Sequence, residues 1–67
     1  MNQTQAKKLE WYAYKHINGT LHLKRYLGDP LDIREAKESP FVRVVTGPFL
    51  ANKREEALSI MVARLGR

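Results

Sequence analysis

Residues 9–27 read LEWYAYKHINGTLHLKRYL, and this stretch decides the fold. Two runs rich in Trp, Tyr, Ile and Leu flank Asn18-Gly19, the dipeptide that best tolerates positive φ at both central positions of a two-residue type I′ turn. The stretch therefore predicts a β-hairpin with arms over 9–17 and 20–27, closed by Ile17 opposite Thr20. That register sets the faces, because side chains alternate along a strand. Trp11, Ala13, Lys15, Ile17, Thr20, His22, Lys24 and Tyr26 are expected on one side. Tyr12, Tyr14, His16, Leu21, Leu23, Arg25 and Leu27 are expected on the other, greasier side, which is assigned to the core.

Beyond the hairpin, Asp29-Pro30 predicts a helix start. Asp caps an orphan N–H, Pro is pre-set for the first helical position, and Asp32 favours the positive end of the dipole. The helix should run Pro30–Glu38 and stop at Ser39-Pro40, since the residue before proline leaves the α region. Residues 41–46, β-branched and brief, read as a third strand stopped at Gly47-Pro48. Val42 and Val44 should share one face, with Phe41, Arg43 and Val45 on the other. Asn52 with Glu55 makes a capping-box pattern, and Ala57, Leu58, Met61, Val62 and Leu65 recur at helical spacing before Gly66. The expected architecture is α+β: a three-stranded antiparallel sheet with two helices on one face, in the order β-β-α-β-α. Residues 1–8 are expected to be a flexible tail and 9–66 a single domain.

Composition narrows the function. Twelve Lys+Arg against seven Asp+Glu give a formal charge of +5 over 67 residues. Residues 1–28 carry +4, residues 29–39 carry −2 and residues 40–67 carry +3, so the basic excess sits toward both ends. A chain of roughly 60 residues buries only about 60% of its unfolded surface, which leaves little for a catalytic cavity. A non-enzymatic protein is expected. With no cysteine, disulfides, Cys-based zinc sites and thiol nucleophiles are excluded, and a cytoplasmic location is the default. The polar start, Met1 to Lys8, lacks the apolar stretch of a signal peptide, and no apolar run of about 18 residues predicts a membrane span.

On the expected register the sheet face away from the helices carries Trp11, Lys15, His22, Lys24 and Tyr26, joined by Arg43 from the third strand. Rings stack on bases and cations neutralise phosphates, so this mixture suits nucleic acid. Cross-strand aromatic pairs and edge lysines also stabilise small hairpins without any ligand, so both readings of the face stand. His16 and His22 fall on opposite sides of the expected hairpin and cannot grip one metal ion, so no metal is predicted. Asp29, Asp32, Glu35 and Glu38 recur every three residues along one helix flank, a solvated face where Arg34 and Lys37 pair locally. Gly47-Pro48-Phe49 lacks the several N–H groups of a phosphate cradle. No cofactor and no small-molecule substrate are expected.

Two family resemblances attach to these residues. The stretch Phe41-Val-Arg-Val-Val-Thr-Gly-Pro-Phe49, followed by Lys53-Arg-Glu-Glu-Ala57 and Leu65, resembles the second half of SPOR domains, which implies binding to denuded peptidoglycan glycans. Trp11-Tyr12, Asn18-Gly19, Lys24-Arg25, Gly47-Pro48-Phe49 and Glu56-Ala57 are similar to the arm-type N-terminal DNA-binding domains of tyrosine integrases, which implies DNA reading by the sheet. Residues 28–40 would then be a helical insertion. The leading expectation is a nucleic-acid-binding module using Trp11, Lys15, His22, Lys24, Tyr26 and Arg43. The alternatives are a protein-interaction or regulatory subunit, dimeric through a sheet edge or exposed aromatics, and a SPOR-like glycan binder.

Overall fold

A computed structural model describes residues 8–66; most of the expected N-terminal tail, residues 1–7, lies outside them. The elements are β1 (Leu9–His16), β2 (Leu21–Arg25), α1 (Pro30–Glu38), β3 (Val42–Ala51) and α2 (Arg54–Leu65). The class, the element order and the antiparallel three-stranded sheet are those expected, with β1 central in the order β2-β1-β3. Among the described residues no helix is long and apolar enough to cross a membrane.

The hairpin loop has three residues, not two. Gly19 N–H donates to the His16 carbonyl at 2.9 Å, and His16 N–H donates to the Thr20 carbonyl at 2.9 Å. A type I′ turn needs positive φ at Asn18 as well. Here only Gly19 is positive, at +92°, and no non-glycine residue among those described is. Asn18 instead accepts the Thr20 N–H through Oδ1 at 3.0 Å, as Asx side chains do in turns. This three-residue loop moves the expected register by one and turns all of β2 over. Trp11 pairs with Arg25, Ala13 with Leu23 and Lys15 with Leu21, while Tyr12 pairs with Lys24 and Tyr14 with His22. Leu21 and Leu23 therefore stand on the Trp11 side, and His22 and Lys24 on the Tyr12 side, correcting the expected faces.

That correction puts the core on the Trp11 side. Trp11, Ala13, Phe49 and Ala51 pack with Ala57, Met61 and Leu65 of α2, and Leu9, Leu21, Leu23, Leu58 and Ile60 surround them. Trp11 is 5% exposed, and its indole Nε1–H donates to the Ala51 carbonyl at 3.2 Å. Arg25 and Arg64 lie 5.3 Å from the Trp11 and Phe49 ring centroids respectively, covering the edges of this core as cations over rings do.

β3 continues through Gly47-Pro48 to Ala51, against the expected stop. Trp11 pairs with Phe49 and Ala13 with Thr46, so Gly47 and Pro48 together oppose Tyr12 alone. The extra residue is absorbed as a bulge, and the missing proline N–H is tolerated because β3 is an edge strand. A second irregularity near the start of β3 pairs Val42 with His16 and Val44 with Lys15. Val42 and Val44 therefore fall on opposite faces, not on a shared one.

α1 begins as expected, with Leu31 N–H donating to Asp29 Oδ1 at 2.9 Å and Pro30 in the first turn. Asp29→Ala should lower the urea-unfolding free energy by about 1 kcal/mol with an unchanged m-value; no shift of the midpoint would remove the cap from the stability of α1. α2 is capped differently from the Asn52/Glu55 expectation. Lys53 holds the cap position without a side-chain bond, and Glu56 reaches back to the Asn52 N–H at 2.6 Å.

The two helices lie on opposite faces of the sheet, not on one. β2 and β3 both run antiparallel to β1, so α1 must cross the sheet to join two parallel strands, and it crosses on the Tyr12 side. It packs chiefly along β3 and buries Ile33. The half of that face made by β1 and β2 stays open.

Candidate functional site

Alternation along β1 places Tyr12, Tyr14 and His16 on the open half-face, and the register of β2 adds His22, Lys24 and Tyr26. Side chains stand roughly perpendicular to a sheet, so same-face neighbours stack. Tyr12 and Tyr14 have ring centroids 6.3 Å apart and planes 29° apart. Tyr14 stacks on His16 at 5.7 Å and on His22 at 5.1 Å. The two imidazoles are 4.4 Å apart, and Tyr26 meets Tyr12 edge-on at 6.1 Å. The ladder spends its ring faces on its own members, with Tyr12 buried and Tyr14, His16 and His22 half-buried.

α1 forms the opposite wall. Between it and the ladder runs a groove of about 250 Å³ lined by Tyr12, Tyr14, His16, Lys24, Asp32, Glu35, Ala36, Ser39 and Val42. Asp32 and Glu35, one turn apart, put two carboxylates against one cation, Lys24. Their field is felt on the floor: the Tyr12 phenol ionises above its ordinary value, first because burial disfavours the phenolate, then through the negative charge of Asp32, Tyr14 and Glu35. Arg34 of α1 pairs with Glu38 at 3.4 Å. The expected acidic flank is thus divided among a cap, an ion pair and a groove wall.

The expected binding residues are redistributed. Trp11 is in the core and is not available for stacking, because the core lies on its side of the sheet. Lys15 stands on the same side, paired with Leu21 and Val44. His22, Lys24 and Tyr26 remain together on the open half-face. Arg43 is exposed at the second irregularity of β3. His16 and His22 share one face, contrary to the expected separation, and His22 Nε2 is shut from solvent without a hydrogen-bond partner. Among the described residues no three His, Asp or Glu side chains are placed to hold a metal ion. Tyr12, Tyr14, His16, Asp32 and Glu35 were not expected as one site. Their legible signals were the alternation that puts Tyr12, Tyr14 and His16 on one face and the three-residue spacing of Asp32 and Glu35.

Comparison of the chain with family profiles, with curated proteins and with solved structures yields no match.

Proposed function

We propose that this chain is a small non-enzymatic interaction module that engages a protein partner over the open half-sheet beside α1. One observation carries this reading: Asp32 and Glu35 face the Tyr12–Tyr14–His16 ladder across the groove. A phosphate backbone entering there would meet two carboxylates and rings whose faces are already stacked, which is the reverse of a nucleic-acid platform. A peptide segment meets phenol and imidazole groups and an acceptor-rich wall. The groove is open and, among the described residues, no charged or polar residue is buried, which supports binding over chemistry in an enclosed site.

Nucleic-acid binding is the second reading. It rests on the formal charge of +5 and on His22, Lys24 and Tyr26 sharing the open face, with Arg43 exposed on β3. One experiment separates the two. Peptides of about 12 random residues are selected on the folded protein, and single- and double-stranded oligonucleotides are titrated at about 50 and 200 mM salt. Selected peptides should lose at least about tenfold in affinity for a folded Tyr14→Ala variant, while oligonucleotides bind no tighter than about millimolar at the lower salt. Micromolar, salt-sensitive oligonucleotide binding, or peptide binders indifferent to Tyr14, would overturn the protein-interaction reading.

A further inference from the structure

Resting on that reading, we infer that the groove between α1 and the ring ladder is a receptor for an arginine side chain of the partner. Charge comes first. The chain as a whole is basic, yet the charged residues lining this groove are Lys24, Asp32 and Glu35, one positive and two negative. Glu38, the other carboxylate of α1, is paired with Arg34, and neither Asp32 nor Glu35 is in an ion pair among the described residues. The two carboxylates outnumber the one cation of the groove, and the net negative charge left favours an incoming cation.

Shape and chemistry then distinguish arginine. Tyr12, Tyr14 and His16 are stacked with planes 29° and 26° apart, so the floor is a ladder of rings that carry phenol and imidazole groups. A guanidinium carries five N–H donors in one plane and can bond carboxylate and phenol oxygens together. An ammonium is a point charge with three donors and a tighter hydration shell. The acceptors here are spread over two walls, carboxylates on α1 and phenols on β1, which a planar fork spans better than a point. A volume of about 250 Å³ admits a single side chain and is below the range of pockets that enclose larger ligands.

The test uses the full chain, isotope-labelled for two-dimensional NMR, with capped tetra-arginine, tetra-lysine and tetra-glutamate peptides and free L-arginine as probes. Tetra-arginine should saturate shifts centred on Tyr14, His16, Asp32 and Glu35, at least about threefold tighter than tetra-lysine, with tetra-glutamate silent. Asp32→Asn combined with Glu35→Gln should weaken tetra-arginine by about tenfold or more while the melting temperature stays within a few degrees. Unchanged affinity in that folded double variant, or shifts centred on another surface, would overturn the inference. Free L-arginine binding as tightly as the tetrapeptide would overturn a protein source for the side chain. The underlying reading fails separately, on peptide binders indifferent to Tyr14; selected peptides that depend on Tyr14 but carry no arginine leave it standing and remove only the arginine site.

Discussion

Gly47→Ala should remove about 2–6 kcal/mol, a large part of the protein's stability. A methyl at this position would sit 2.8 Å from Tyr12 Cβ, 2.9 Å from Tyr12 Cα and 3.0 Å from the Trp11 carbonyl oxygen, all of them backbone or Cβ atoms that cannot rotate aside. The φ of +127° adds strain for any L side chain. Strained φ costs about 1–3 kcal/mol and overpacking a similar amount, whereas a domain of this length has about 3–10 kcal/mol in total. Far-ultraviolet circular dichroism with urea titration reads the outcome. A cooperative transition at the wild-type midpoint would show that the bulge is not the close contact described.

Trp11→Ala should cost about 3–5 kcal/mol, the range for removing a large buried aromatic. The indole is 5% exposed between the sheet and α2, and its loss also leaves the Ala51 carbonyl without its donor. An outward indole kept for stacking would cost no more than about 0.5 kcal/mol when truncated. Urea unfolding separates the two values, and acrylamide should quench the native tryptophan poorly. A stability change under about 1 kcal/mol would contradict the core assignment.

How much of this was legible in the residues depends on the range of the signal. Asp29-Pro30 and Ser39-Pro40 delimit α1 because capping and proline sterics act within two or three residues, and both ends were found. The apolar spacing from Ala57 to Leu65 located α2 for the same reason. Register is a different kind of quantity. Asn18-Gly19 is compatible with a two-residue loop and with a three-residue loop whose last member is left-handed, and the choice is made by tertiary packing. Burying Leu21 and Leu23 with Trp11 and Phe49 under α2 gathers the aliphatic residues on one face, which the two-residue loop would have divided. Gly47-Pro48 misled in the same manner: the pair ends a strand in isolation, but on an edge strand beside Tyr12 it makes a bulge. The groove needed both corrections at once, since its floor depends on the register and its wall on α1 crossing the opposite face from α2.

The alternation along β1 has a consequence for how the molecule tolerates change. Its odd-numbered positions, Leu9, Trp11 and Ala13, pack in the core with α2, and its even-numbered ones, Tyr12, Tyr14 and His16, line the groove beside α1; β2 obeys the same parity. On the proposed function, specificity would drift on one numbering class while integrity is guarded by the other, with the peptide plane as the partition. A single inserted or deleted loop residue would exchange the two vocabularies, so the length of the turn is the hidden constant on which that freedom depends.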